Sequence, residues 1–300
     1  MNKYAKNEIS LLQFIFLIHG AQVGTGIMSL PRMLAEKAGT DGWMALIIGL
    51  FANLLAGLLI VHIMKRFPQD TLYDLCKRLF GKWLSPIVFV PVLLFFVVSA
   101  WVVQLSAILY IKAWLLPRTP DYVVMFLLAV PTYMLVRDGL RVVGRYCELV
   151  FYMSAWMPFV LLLVAKDTNV LYLLPLFKEG ILPVVRATET AAYAIMGFEI
   201  TFFVYPFLKN KESAAIGIVA ANALTIFIYL GVTVFCFAFF SPDEITQYNQ
   251  PMLSLLKVIE FRFLERFDMI FLAVYLLVVS KCWGTYLFCA VFGTSQLLRQ

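Results

Sequence analysis

Long apolar runs alternate with short polar segments along the chain and predict eight membrane-spanning helices. A helix needs roughly 20 apolar residues to cross a hydrocarbon core about 30 Å thick. Of the eight runs, the fourth is short and the last is long. The predicted spans are 10–33, 43–65, 86–111, 121–136, 143–165, 184–207, 213–240 and 267–298.

Two of the connecting segments have an amphipathic pattern of their own. Residues 69–83 place Leu72, Leu75 and Leu79 on one helical face and predict a short cytoplasmic helix. Residues 250–264 predict a similar helix on the outer side. Because no low-complexity tract or interdomain linker interrupts the pattern, residues 1–300 are expected to form a single membrane domain.

The composition excludes a water-soluble protein. The chain is 62% hydrophobic and only 14% charged, whereas soluble domains contain about 25% charged residues. Soluble enzymes, disordered regulators, collagens and secreted disulfide scaffolds are therefore set aside. The five cysteines lack CxxC pairing, and most lie in apolar runs, which indicates buried side chains and no disulfide framework.

The basic residues predict the orientation of the chain in the membrane. The net charge is +6, which in a soluble domain would suggest nucleic-acid binding. Here the basic residues lie in short loops, so no nucleic-acid partner is expected. They concentrate in alternate loops, which predicts a cytoplasmic N-terminus by the positive-inside rule. These residues are Lys3, Lys6, Lys65, Arg66, Lys77, Arg78, Lys82, Arg137, Arg141, Arg145, Lys209 and Lys211.

The first predicted span contains two glycines around a threonine, Gly24, Thr25 and Gly26. Glycine weakens a helix by about 1 kcal/mol relative to alanine. One interpretation is close helix packing through small residues. The other is an unwound segment whose free amides and carbonyls line a binding cavity. A dinucleotide loop is excluded, because Ser29 replaces the third glycine and no strand precedes the motif.

The sixth predicted span contains a second candidate interruption, Met196-Gly197-Phe198-Glu199. A carboxylate at this depth costs several kcal/mol unless it is paired, protonated or in a wet cavity. Glu199 is therefore either a structural acid bonded to a neighbouring helix or part of a functional site. We favour the functional site, because the acid adjoins a glycine.

Three further residues are candidates for the same site. Lys281 lies in the middle of the eighth span, too deep to reach an interface easily. We expect it beside Glu199 or beside the first interruption, where an ammonium would occupy the place of a metal ion. Trp101 and Gln104 share one face of the third span; they either pack in the core or line the site.

Signatures of enzymes are absent from the sequence. There is no GxxxxGK[ST], HExxH or GxSxG motif, and two histidines cannot build a histidine-rich metal site. We therefore expect no catalysis, no metal and no cofactor.

Two candidate interruptions five spans apart resemble the LeuT-type architecture of the amino acid–polyamine–organocation superfamily. That resemblance implies an all-α membrane fold of two five-helix inverted repeats, with helices 1 and 6 broken. The first repeat would cover about 10–165 and the second about 184–298. Because this architecture has ten helices, the resemblance also implies a chain truncated after about eight, or a degenerate copy.

Several short segments are similar to the spore germination permease family. They are 24–31 (GTGIMSLP), 38–43 (AGTDGW), 139–145 (GLRVVGR), 197–199 (GFE) with Pro206, and 240–244 (FSPDE). The resemblance covers essentially the whole chain. It implies the integral membrane subunit of a nutrient germinant receptor in the inner membrane of bacterial spores, acting with two other receptor subunits. The expected ligand is a small germinant, often an amino acid, whose binding triggers germination.

For such a ligand, the first interruption would bind the carboxylate and the second would bind the ammonium group. The amides of Gly24, Thr25 and Gly26 would face the carboxylate. Carbonyls near Met196 and Gly197 would face the ammonium, and Glu199 would supply charge or act as a proton-linked switch. Two alternatives stay open: a proton-coupled transporter of amino acids or other small organic solutes, and a pore-forming or structural subunit without its own ligand.

Overall fold

The computed structural model describes residues 7–178, 180–259, 261–262 and 266–298, and these residues are predominantly helical. Ile9 pairs with Leu208 in an isolated parallel bridge. The α-helices are α1 Leu11–Gln22, α2 Leu30–Ala38, α3 Gly42–Arg66, α4 Leu72–Trp114, α5 Asp121–Arg137, α6 Leu140–Ser154, α7 Leu182–Ala194, α8 Thr201–Val204, α9 Ala214–Phe239, α10 Pro251–Leu256 and α11 Phe267–Leu298. Short 3-10 segments include Thr25–Met28, Met157–Asp167 and Phe198–Ile200.

The helices are long and apolar enough for a multi-pass membrane protein, which confirms the prediction at that level. Among the described residues, five helices meet the length and hydropathy needed to cross a membrane. The number is six if the two bent helical pieces Leu182–Ala194 and Phe198–Phe207 form one span. The count differs from eight because the first predicted span is divided into short pieces and α5 has 17 residues. The eight crossings and the two repeats stay predictions.

Local sequence signals explain several helix boundaries. Ser10 caps α1 through a reciprocal capping box with Gln13, and Thr71 caps α4 in the same way with Asp74. Gly81 has a positive φ of 73° inside α4, a conformation that glycine adopts readily. This position separates most of the predicted amphipathic segment 69–83 from the predicted span 86–111.

The outer predicted helix is shorter than expected. Pro251 begins α10, as proline often does at a first helical position, and the helix ends at Leu256. The predicted segment extends to residue 264, but residues 260, 263 and 264 lie outside the described part of the chain.

The helix α11 is the centre of the packing. It contacts α4, α6 and α1. In the most apolar 18-residue stretch of each helix, 61% of α11 is buried but only 22% of α4. By contrast, α3 exposes a stripe of Phe51, Leu55 and Leu59 at helical spacing. Apolar stripes of this kind are unfavourable in water but suit a lipid environment. The central position of α11 determines which side chains reach the interrupted segments.

Candidate ligand-binding site at two helix interruptions

The α-helix at the start of the chain stops at Gln22, and a new one begins only at Leu30. The carbonyls at a helix end have no partner within the helix, so they require donors from elsewhere. The Tyr275 hydroxyl donates to the Gly24 carbonyl at 2.6 Å, and the Tyr110 hydroxyl donates to the Thr25 carbonyl at 3.2 Å. Hydroxyls from α11 and α4 therefore stabilise this first interruption.

The second interruption separates α7, which ends at Ala194, from the 3-10 turn Phe198–Ile200. The two flanking pieces are bent by 44°. The Asn53 side chain on α3 donates from Nδ2 to the carbonyls of Ala192, at 3.1 Å, and Ile195, at 2.9 Å. A buried amide thus satisfies carbonyls that the end of α7 leaves free.

The two interruptions are in direct contact. Gly197 has φ 150°, and a Cβ placed on it would lie 2.8 Å from the Gln22 backbone nitrogen. The Tyr229 hydroxyl on α9 lies 3.0 Å from the carbonyl oxygens of both Gln22 and Ala194. One side chain therefore links the end of α1 with the end of α7.

A cavity of about 220 Å³ lies beside this contact, and we call it the interruption cavity. Mostly apolar walls with a few polar groups are typical of small-molecule sites. Its lining comes from the end of α1, from α4, from the second interruption and from α11. The lining residues are Ala21, Gln22, Gly24, Phe95, Val98, Ser99, Val102, Val103, Tyr193, Ala194, Met196, Cys282 and Tyr286.

The candidate residues of the two motifs fall into two groups. Gly24 and Met196 line the interruption cavity. Thr25, Gly26, Gly197, Phe198 and Glu199 belong to the two interruptions but do not line this cavity. The structure therefore brings the two motifs together, while only one residue of each contacts the cavity.

Trp101 and Gln104 lie off the cavity-facing side of α4. Trp101 is 57% exposed, and neither residue lines the cavity. The helix instead presents Phe95, Ser99 and Val102, which share a face at i, i+4 and i+7. These lining positions were not singled out in the sequence.

Glu199 is connected to the cavity through Tyr286. The Tyr286 hydroxyl donates to Glu199 Oε1 at 2.5 Å, and Tyr286 itself lines the cavity. The second carboxylate oxygen, Oε2, is buried without a hydrogen-bond partner among the described residues. Glu199 therefore has one oxygen fixed by a tyrosine and one left to accept a proton or a cation.

Lys281 lies beside α1 and does not pair with Glu199. Its side chain is 1% exposed, and a Cβ placed on Gly20 would be 3.1 Å from the Lys281 Cβ. Within the described part of the chain, Lys281 has neither an ion pair nor a hydrogen bond. Of the two predicted neighbours, the structure places the lysine against the first span.

A buried polar network links α1 with α9, and the sequence did not identify it. His19 Nδ1 lies 2.9 Å from Thr225 Oγ1, which donates to Gln22 Oε1 at 2.7 Å. Gln22 Nε2 then donates to Asn222 Oδ1 at 3.0 Å. Asn222 and Thr225, three residues apart in an apolar run, were the signal that could have predicted this network.

In the described residues, no group of three or more His, Cys, Asp or Glu side chains is arranged to hold a metal ion. The interruption cavity is a small, mostly apolar pocket between two interrupted helices. The polar side chains that line it are Gln22, Ser99, Tyr193 and Tyr286, and the Glu199 carboxylate lies one hydrogen bond away through Tyr286.

Comparisons with known proteins point to one family. A family model described as spore germination protein matches residues 8–300. The chain is 23% identical to spore germination protein YndE of Bacillus subtilis (strain 168), over 98% of this chain and 82% of that protein. It is 24% identical to spore germination protein GerQB of Bacillus cereus, over 89% of this chain and 74% of GerQB. The chain is 26% identical to spore germination protein KB of Bacillus subtilis (strain 168), over 98% of this chain and 80% of that protein.

Proposed function

Because the chain belongs to the spore germination permease family, we propose that it is the membrane subunit of a nutrient germinant receptor and binds a small germinant. The proposed ligand is an amino acid, and the proposed site is the interruption cavity. The observation that carries this proposal is the meeting of two helix interruptions beside a cavity of about 220 Å³. Interrupted membrane helices place backbone polar groups where a ligand can contact them.

The first interruption suits a carboxylate. The amides of Thr25 and Gly26 begin the 3-10 turn, where N–H groups have no partner within the turn. No other described residue accepts a hydrogen bond from them. The positive end of a helical segment favours an anion. Gly24, which lines the cavity, immediately precedes this turn.

The second interruption suits an ammonium group. Met196 lines the cavity, and the Glu199 carboxylate is one hydrogen bond away through Tyr286. A cation near this carboxylate would compensate the cost of holding an acid within the membrane. Opposite ends of an amino acid would thus contact opposite interruptions.

Binding would act on the receptor by changing the relative position of α1 and α7. Tyr229 already links the two helix ends, so a ligand that prefers one arrangement shifts the population toward it. Two other receptor subunits would detect this shift. The proposed setting is the spore inner membrane, with the N-terminus cytoplasmic and the helices arranged as a LeuT-type fold.

Glu199 favours a second candidate function, proton-coupled transport of amino acids or other small organic solutes. Its unpartnered oxygen is available for protonation, and acids within a membrane commonly serve as proton relays. Uptake into proteoliposomes under a pH gradient separates the two functions. Uptake that is lost in Glu199→Gln supports transport, whereas binding without uptake supports sensing.

Equilibrium binding of a labelled amino-acid panel to the protein in nanodiscs tests the site. We expect saturable binding that Ser99→Phe, which fills the cavity from α4, weakens at least tenfold. Gly26→Ala should weaken it by a smaller factor, because Gly26 belongs to the first interruption but does not line the cavity. Gly231→Ala is the matched control, because no atom lies within 4 Å of its added Cβ. Wild-type binding by both Ser99→Phe and Gly26→Ala would reject the interruption cavity as the site.

A further inference from the structure

A second and larger cavity lies on the other side of α1. It has a volume of about 270 Å³, and we call it the lysine cavity. Its walls come from α1, the first interruption, α6, α9, α10, α11 and the 3-10 segment Met157–Asp167, and they include His19, Phe151, Leu224, Val278 and Lys281. It shares no lining residue with the interruption cavity. The proposed germinant site therefore leaves this space unused.

The lysine cavity contains one charged group that has no hydrogen bond or ion pair with the described residues. Lys281 is 1% exposed, and its Nζ lies 6.0 Å from the Phe151 ring centroid. No described residue gives it a hydrogen bond or an ion pair. The other basic lining residue, His19, already contacts Thr225 through Nδ1. An unpaired buried ammonium costs several kcal/mol, so an anion in this cavity would be stabilised by Lys281.

The rest of the cavity suits hydrocarbon. Apart from a few polar atoms, its walls are aliphatic or aromatic. Phe159 and Phe227 line the cavity and are 62% and 63% exposed. Exposed apolar side chains of a membrane protein suit contact with lipid tails. The wall of the lysine cavity therefore includes surface suited to an apolar molecule.

We propose that the lysine cavity binds a medium-chain carboxylate, with the carboxylate on Lys281 Nζ and the hydrocarbon chain among the apolar walls. A 150 Å³ cavity holds benzene, with six heavy atoms. By that scale, 270 Å³ holds about eleven heavy atoms, enough for octanoate. A medium-chain carboxylate has a negative charge for Lys281, a hydrocarbon chain for the apolar walls and a volume that fits the lysine cavity.

Binding of tritiated octanoate to the full chain in zwitterionic nanodiscs tests the proposal, after subtraction of binding to empty discs. We expect saturable binding that Lys281→Met weakens at least tenfold. Neutral 1-octanol should compete at least tenfold more weakly than unlabelled octanoate. Lys257→Met is the matched control, because Lys257 stacks on Trp114 and lines neither cavity.

A second variant keeps the test decisive if Lys281→Met does not fold. Ala155 lines the cavity and is exposed, so Ala155→Phe obstructs the cavity and keeps Lys281. It should also weaken octanoate binding at least tenfold. Octanoate binding equal to wild type in the folded variants, or competition by octanol as strong as by octanoate, would overturn the proposal.

Two further arms identify the source of the ligand and separate this site from the germinant site. Displacement of octanoate by nonanoate incorporated in the disc lipid indicates entry from the bilayer; retention of octanoate indicates a water-borne carboxylate. Ser99→Phe should leave octanoate binding unchanged, because Ser99 lines only the interruption cavity. If Ser99→Phe loses amino-acid binding but keeps octanoate binding, the two sites are independent.

Discussion

The two helix interruptions differ in how much room surrounds their glycines. At the second, a Cβ on Gly197 would lie 2.8 Å from the Gln22 nitrogen, and the residue has φ 150°. At the first, a Cβ on Gly26 would meet its nearest atom, the Ala194 Cβ, at 3.9 Å. Glycine is thus required by backbone packing at Gly197 and not at Gly26. A requirement for glycine at Gly26 would have to come from a ligand.

The interruptions also differ in what stabilises them. Carbonyls of the first receive hydroxyl donors from α4, α9 and α11. Carbonyls of the second receive the Asn53 amide from α3 and share the Tyr229 hydroxyl. The helices that stabilise the first interruption therefore also form the walls of the two cavities. A change in either cavity should affect the first interruption more than the second.

The largest effect is expected from Gly197→Ala. The added Cβ meets the α1 backbone in a conformation that L-residues rarely adopt. Backbone strain and overpacking together should cost about 3 kcal/mol. The apparent melting temperature in detergent should fall by about 6–12 °C. Gly231→Ala, which has open space around it, should melt with the wild type. Equal melting of both variants would show that Gly197 does not hold the interruptions together.

A smaller loss is expected from Tyr229→Phe. The hydroxyl shares its one hydrogen between two carbonyl oxygens, one at the end of each interrupted helix. Leaving buried carbonyls without a donor costs about 1–3 kcal/mol. Thermal unfolding measures this loss, with Tyr193→Phe as the control because Tyr193 is 77% exposed. If Tyr229→Phe and Tyr193→Phe unfold alike, the tyrosine does not link the two interruptions.

Tyr275→Phe distinguishes the first interruption from the second. Among the described residues its hydroxyl donates to one carbonyl, that of Gly24, at 2.6 Å, so the expected cost is about 1 kcal/mol. Thermal unfolding should place this variant between Tyr229→Phe and the wild type. A loss larger than that of Tyr229→Phe would mean that the first interruption depends on α11 more than on its contact with α7.

The sequence predicted a predominantly helical membrane protein because this depends on local signals. Apolar runs and glycine positions are visible without knowledge of tertiary contacts. The partners Tyr229, Tyr275 and Tyr286 were not predicted, because each is a single tyrosine in an apolar run and its role depends on which helix it faces.

Trp101 shows why the inward face of a membrane helix is hard to predict. The helix α4 is apolar on most sides, and lipid tails are as apolar as a protein core. The hydrophobic pattern therefore does not distinguish the lipid-facing side from the cavity-facing side. Phe95, Ser99 and Val102 could be assigned to the cavity only after the packing of α4 against α11 was known.

Gly26→Ala should have the smallest effect on stability and so gives the sharpest test of the comparison. Its added Cβ fits without a close contact, and the change should alter unfolding by no more than about 0.5 kcal/mol. Thermal unfolding of the unliganded protein measures this directly, with Gly197→Ala as the destabilised reference. If Gly26→Ala melts far below the wild type, its glycine is structural, and weakened germinant binding in that variant would no longer locate the ligand. If it melts with the wild type, weakened binding reports contact between the ligand and the first interruption.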